Sequence, residues 1–482
     1  MKLLKAFFIA FIIISITSCS EKEDTPADIQ IQNFVWKGLN AYYLWQDQVP
    51  DLSDRRFKND QELYSYLSGQ SDPAAFFSNL LYIPNEYPKD PNKTYSWIVD
   101  DYVALEQAFQ SIRLTSGMKV KGKDYLDGSG NYYVYVYDVV KGSSAEANGV
   151  TRGMLITQVN GTAITATNVN SLFSGNSFTI HLADYNAGNP TTNGATIVLT
   201  KSQLTENPIK EAKVITSGTK KIGYIMYNQF SNSFDGELNA KFLKFKNETI
   251  DDLIIDLRYN GGGSVQTAVY LGSMVTGQFK DELYSKQVWN SKVMAVTDPN
   301  LLINNFTDKI LNKDASGTIV LNETINSLNL GTIYFIVSDN TASASELIIN
   351  ALSPYINVKL VGVQTYGKHV GSITLYDSEN FRKNGPNFRT NHTWAMQPIV
   401  LEIQNKDGQN KPEGFIPEVT LEENPGNLGI IGDPNEPLLQ RTIQYIVTGS
   451  KGISTPSKSK TYTSWNSSMN NIDYNNMYID FK

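Results

Sequence analysis

Of 482 residues one is cysteine, Cys19, and three are histidine, His181, His369 and His392. A lone cysteine closes no internal disulfide, and scattered histidines leave no nitrogen and sulfur ligand set for zinc. Positive charge is not concentrated either: 41 Lys and Arg stand against 48 Asp and Glu, a net charge of -7. An acidic chain without a basic cluster argues against nucleic acid as a partner. Long apolar runs are missing as well. The one near the start, residues 6–14, is too short for a stable membrane span. Gly261-Gly262-Gly263 is the obvious glycine run, but no lysine follows at P-loop spacing, so a phosphate cradle is a poor reading. No metal and no cofactor is expected. What is present is 41% hydrophobic residues, enough for real cores and about three domains.

The start reads as a targeting segment. Lys2 and Lys5 precede the short apolar run, and Ile16-Thr17-Ser18 lead into Cys19. Small residues before a cysteine resemble the lipobox of bacterial lipoproteins. The resemblance implies a signal peptide over 1–18, lipid on the Cys19 thiol, and a charged tether over 19–28. A plain secretory signal with an incidental cysteine is the alternative. The expected location is the cell envelope, outside the cytoplasm, on the periplasmic side or at the outer-membrane surface, with the membrane as partner through that lipid.

Residues 29–104 carry apolar and aromatic residues at helical spacing (Phe34, Val35, Leu39, Tyr42, Tyr43, then Leu63, Tyr66, Leu67). They predict a small helical domain with an aromatic core and no polar constellation for chemistry. Residues 105–205 change character. A loop at Ser116-Gly117-Met118 precedes an alternating strand, Tyr132 to Val140. A short helix then starts at Ser143 and stops at Gly149, Arg152-Gly153 turns into a strand, and Asn160-Gly161 makes a hairpin. This order resembles a PDZ domain. That implies capture of an extended peptide at a sheet edge, with Ser116, Gly117 and Met118 as the carboxylate-binding loop. From residue 206 to 448 strands alternate with helices, the pattern of an α/β layered core. Residues 276–327 look irregular and polar and suggest an insertion rather than a lid. The tail, 449–482, is rich in Ser, Asn and Tyr and has no assignable role.

Within the core, an apolar strand (Ile333 to Val337) meets a polar turn, and a helix opens at Ser343; a second strand ends in a glycine turn delivering Lys368. A serine hydroxyl is a weak nucleophile until a base takes its proton. A lysine can serve if burial lowers its pKa by about three units. Ser343-Ala344-Ser345-Glu346 is also a capping box, in which Glu346 reaches back to the Ser343 amide. Both readings are compatible, because a helix N-terminus offers unpaired amides and a favourable dipole. Ser345 is the neighbouring competitor. The glycine run suits an oxyanion hole, where backbone amides turn toward developing negative charge.

Taken together, DLRYNGGG, TASASE and YGK in that order resemble the C-terminal processing peptidases, or tail-specific proteases. The resemblance implies a Ser–Lys endopeptidase with a PDZ domain before a core shaped like the crotonase and Clp protease folds, acting on protein or peptide C-termini. Ser343 would be the nucleophile and Lys368 the base, at a separation of 25 positions as in the family. The oxyanion donors would be the amides of Ala344 and of Gly262 or Gly263. Two positions depart from the family pattern: Ser372 stands where many members have an orienting glutamine, and Pro354 where others have an aspartate. Ser372 is a possible third member, or the site works as a dyad. Two rivals remain. One is a catalytically inactive peptide-binding lipoprotein on the protease fold; the other is a Ser–His hydrolase using His369 or His392.

Overall fold

The computed structural model describes residues 25–86, 94–314, 316–452, 465–471 and 473–479, so Cys19 and the expected leader lie outside the described residues. Three helices, Gln30–Tyr42, Asp60–Leu67 and Pro73–Asn79, make the N-terminal part. The second and third start where a side chain caps them: Asn59 accepts from Glu62 N–H, and Asp72 from Ala74 and Ala75 N–H. Their apolar faces bury Phe34, Leu39, Tyr43, Leu67 and Phe77. Leu44 N–H donates to Ile399 O at 2.9 Å, and Asn290 Nδ2 to Ala41 O and Tyr43 O, which docks this part on the core.

Next comes an antiparallel sheet ordered Met118–Asp124, Tyr132–Val139, Leu155–Val159, Ser177–Asp184 and Thr191–Thr200. Met118–Asp124 is one of its edges. Asn160 and Gly161 have φ of 50° and 77° and return the chain as the expected hairpin. The strand Tyr132–Val139 alternates in sequence but is buried almost throughout. Val134 and Val136 enter the core of this unit, while Tyr133, Tyr135 and Tyr137 pack with Leu428 and Tyr259 of the next one. The polar-looking face is therefore an interdomain face.

The catalytic-looking motifs ride on a six-stranded sheet ordered Ile209–Ser217, Lys220–Tyr227, Asp252–Asp256, Thr332–Val337, Asn357–Gly362 and Val419–Thr420, parallel except for its first pair. Helices cover both faces. Asp235–Glu248, Val265–Val275 and Ala344–Leu352 pack over Leu253, Ile255, Phe335 and Val337; Pro437–Thr448 packs over Tyr224, Ile254 and Ile336. Burial on both faces is why these strands read as continuous apolar runs.

A second sheet contains Gly263–Ser264, Met477–Tyr478, Val370–Ser372, Ile399–Gln404, Leu283–Trp289 and Ile303–Asn305 in that order. One expectation is corrected here. Residues 276–327 are not an irregular insertion, since Leu283–Trp289 pairs with Ile399–Gln404 and Lys309–Lys313 pairs with Ile319–Thr324. The run 394–403 forms two strands, Ala395–Gln397 and Ile399–Gln404, in different sheets. Pro398 between them has no N–H for a ladder.

Arg258 sits fully buried at the end of the Asp252–Asp256 strand. It donates to Asp256, to both carboxylate oxygens of Glu436, and to Glu423 at 3.1 Å. Glu436 in turn caps Pro437–Thr448 by accepting from Leu439 N–H. Arg152 of the antiparallel unit reaches Glu423 at 2.7 Å. Removing one member of such a buried ion network leaves charge without a partner, which costs about 3–5 kcal/mol. Arg258→Met is expected to lower stability by about that amount in urea unfolding; a loss under about 1 kcal/mol would contradict the role assigned to the network.

Candidate active site

Ser343 lies between the strand Thr332–Val337 and the helix Ala344–Leu352, at the N-cap of that helix. Its φ of 65° and ψ of -117° are costly for a residue with a side chain. The turn is fastened from below: Thr341 Oγ1 donates to Leu257 O, Ser338 Oγ to Arg258 O, and Ala342 N–H to Asn260 O. Ser345 Oγ is committed to the Asn260 carbonyl at 3.0 Å. Ser343 Oγ, fully buried, has no hydrogen-bond partner among the described residues. Of the two serines it is the one with a free hydroxyl.

Glu346 reaches back to Ser343 N–H at 3.0 Å as the capping box requires, but this is only part of its work. Its carboxylate also accepts from Thr365 Oγ1 at 2.5 Å, Gly367 N–H at 2.7 Å and Lys368 N–H at 2.8 Å. One carboxylate thus holds the turn bearing Ser343 against the turn bearing Lys368. Gly367 has a φ of 89°, and a β-carbon there would lie 2.3 Å from Pro412 O, so only glycine fits. Burial raises the Glu346 pKa to about 7, against the pull of its four donors.

Lys368 is buried in a pocket lined by Ser343, Glu346, Leu347, Ile403, Phe415 and Met477, among others. Desolvation brings its pKa down to about 7, and the nearby Glu86 carboxyl opposes the shift. Its Nζ stands 4.7 Å from the centre of the Tyr95 ring. Glu86 is held by Ser96 Oγ at 2.6 Å and by the amides of Tyr95 and Ser96. Glu86 and Tyr95 therefore reach the base from the N-terminal part, where the sequence pattern showed no chemistry. Each is single and far from the core motifs, so nothing local could have flagged them.

The glycine run is resolved amide by amide. Gly262 N–H is donated to Asn260 Oδ1 at 2.8 Å, whereas Gly263 N–H points at the carbonyl of Asn476 at 2.6 Å. A β-carbon built on Gly262 would stand 2.4 Å from Asn476 O, 2.8 Å from Ser343 Cβ and 3.0 Å from Ala344 N. Ser343, the Ala344 amide and the Asn476 carbonyl thus converge around Gly262, which must be glycine, while Gly263 N–H is the amide that donates to that carbonyl. Ser372 lies nearby, but its hydroxyl bonds Asn476 Oδ1 and Met477 O and receives Gln397 Nε2 at 3.2 Å. None of these partners is Lys368. Gln397, buried on a separate strand, went unnoticed in the sequence. His369 lines the same pocket with Nε2 turned to Glu402, and desolvation holds its pKa at about 4. His392 pairs with Asp377 at 3.0 Å. Ser116, Gly117 and Met118 lie in the antiparallel unit, where Gly117 takes a φ of 81° and its N–H bonds Thr115 Oγ1.

A strand–turn–helix serine, a buried lysine and a glycine turn beside them form a site of the serine-hydrolase kind. Residues 221–391 match Peptidase family S41, and residues 30–97 match the Peptidase S41 N-terminal domain. These two matches, together with C-terminal processing peptidases among the chain's relatives, support the C-terminal processing peptidase family. A probable CtpA-like serine protease of Staphylococcus aureus is 25% identical over 249 residues, 51% of this chain and 43% of that protein. The chloroplastic carboxyl-terminal-processing peptidase 1 of Arabidopsis thaliana is 25% identical over 259 residues, 52% of this chain and 47% of the other. The chain thus spans less than half the length of these curated relatives. In fold, it is similar to a putative S41 protease of Bacteroides fragilis, with a TM-score of 0.64 and 22% identity over 86% of this chain and 97% of that one.

A lysine works as a base only when neutral, and Glu346 accepts the two turns only as a carboxylate. Both changes occur as pH rises through about 7. Activity is expected to climb with pH along a limb centred there. Glu86→Gln removes the charge that favours the ammonium, so the limb should move to lower pH. A pH–rate profile in which it stays or moves up would contradict this.

Proposed function

We propose that this chain is an envelope serine endopeptidase that binds protein C-termini and cleaves peptide bonds through an acyl-enzyme formed on Ser343. The observation that carries the reading is a buried, depressed-pKa lysine sharing a pocket with a buried serine hydroxyl that has no partner. Lys368 Nζ takes the Ser343 proton as Oγ attacks the scissile carbonyl. The carbonyl oxygen becomes an anion between the amides of Gly263 and Ala344. Collapse expels the amine, which leaves with the proton from Lys368. Water then attacks the ester with Lys368 again as base, releasing the acid and freeing Ser343. Ser372 bonds neither catalytic group, which favours a dyad.

Residues 105–205 act in this reading as a PDZ domain, adding an extended peptide to the sheet edge at Met118–Asp124. Lipid on Cys19 holds the enzyme at a membrane outside the cytoplasm. The test is cleavage of an unfolded reporter protein. Ser343→Ala is expected to cost about 10⁴-fold or more, and Lys368→Ala about 10²–10⁴-fold, with melting temperatures near wild type. Unimpaired cleavage by Lys368→Ala would remove lysine as the base and leave His369 in its place.

A further inference from the structure

The described part of the chain beyond the last helix is not spread over the surface. It lies along the route a substrate would take. At its start, Trp465 O accepts from Gly122 N–H at 2.6 Å, Asn466 pairs antiparallel with Lys121, and Ser467 Oγ accepts from Val120 N–H at 3.0 Å. These contacts add the segment to the edge strand Met118–Asp124. The Trp465 ring stacks on Phe173 at 6.0 Å, and its Nε1 donates to Asn170 on the short helix Val169–Leu172. The groove between edge strand and helix is filled.

Further on, Asp473 is fixed by Arg113 at 2.6 Å and Gln229 at 2.9 Å. Then the segment enters the catalytic cleft. Lys368 Nζ donates to Asn475 O at 2.9 Å, and Gly263 N–H to Asn476 O at 2.6 Å. Met477 helps line the pocket of Ser343, beside Leu347, Ile403 and Phe415. Met477–Tyr478 pairs as a parallel strand with Gly263–Ser264 on one side and with Ser372 on the other, and Ile479 N–H donates to Ser372 O at 3.1 Å. The Tyr478 ring stacks on Phe109 at 4.2 Å.

Base, oxyanion amide and apolar pocket are thus all engaged by one piece of the same chain. We infer that residues 465–479 are a built-in pseudosubstrate, which blocks both the peptide groove and the catalytic cleft until an extended peptide with an apolar residue for the Met477 pocket displaces it. The inference rests on the reading of Ser343 and Lys368 as the catalytic pair. The segment binds as a substrate strand does, through its backbone, with one apolar side chain inserted into the pocket. It remains intact because Lys368 donates to Asn475 O and no hydrogen bond joins its Nζ to Ser343 Oγ. Being tethered, it competes at a high effective concentration, so a free peptide needs length or tight pocket contacts to win.

The test uses the full chain with Trp465→Ala and Met477→Asp combined, neither residue being part of the proposed chemistry. A phosphonylating probe for reactive serines is expected to label Ser343 in this variant at least about tenfold faster than in wild type, as the open fraction rises. Added synthetic peptide of sequence 465–479 should slow that labelling again. Equal labelling rates would overturn the pseudosubstrate. If neither protein is labelled, Ser343 as nucleophile fails, and binding of the same peptide, fluorescently tagged, still decides the blockade. Binding to the variant but not to wild type supports it, and equal binding or none overturns it. Should the double variant fail to fold, amide exchange on the wild type decides. Gly122 and Gly263 N–H are expected to exchange as slowly as sheet interior, and exchange at the rate of an open edge would sink the proposal.

Discussion

The site depends on one buried carboxylate. Glu346 accepts from the amides of Ser343, Gly367 and Lys368 and from the Thr365 hydroxyl. Two turns from different strand ends, each costly in backbone terms, are held together by a single side chain with both oxygens used. A buried carboxylate is expensive unless its lone pairs are filled. Here filling them is the same act as bringing nucleophile and base into one pocket. The strained φ of Ser343 follows from this arrangement. It also spares the hydroxyl from capping duty, so that Oγ stays free of partners.

The lysine depends on a second constraint, which the core alone does not provide. A lysine at the end of a parallel strand would ordinarily reach solvent and keep its charge. The N-terminal helical part closes that exit, placing the Tyr95 ring and the Glu86 carboxyl against Nζ. Burial lowers the pKa of the amine while the Glu86 carboxyl opposes the shift, and the value stands at about 7. The N-terminal domain is therefore part of the base's environment as well as a packing unit.

What the sequence revealed follows the range of the interactions concerned. Ser343, Lys368 and the glycine turn sit in short motifs whose geometry is set within a few residues, so their places at turns beyond strand ends could be read directly. The strands of the parallel sheet were legible because burial on both faces leaves unbroken apolar runs. The choice between Gly262 and Gly263 was not legible, since it turns on which amide Asn260 Oδ1 takes. The burial of Tyr133, Tyr135 and Tyr137 was not legible locally, because their partner, Tyr259, is more than a hundred residues away. Residues 276–327 looked irregular because the strand Leu283–Trp289, which pairs locally with Ile303–Asn305, takes its other neighbour from the distant Ile399–Gln404.

The segment 465–479 lay furthest beyond the reach of sequence patterns. It has no periodicity because its elements are too short to show one, a single turn at Ser467–Asn470 and the two-residue strand Met477–Tyr478; it borrows an edge from one sheet at Lys121 and two edges from another at Gly263 and Ser372. Backbone groups of Trp465, Asn475 and Asn476 make part of its contacts, and the side chains of Trp465, Asp473, Met477 and Tyr478 anchor it. That is also the chemistry of a peptide bound by strand addition, in which main-chain bonds give affinity and alternate side chains give selectivity. A groove built to accept many backbones by the same bonds cannot exclude its own chain on sequence grounds. Control must then come from competition between the tethered strand and an incoming one, and the pocket around Met477 is where the two can differ in side-chain fit.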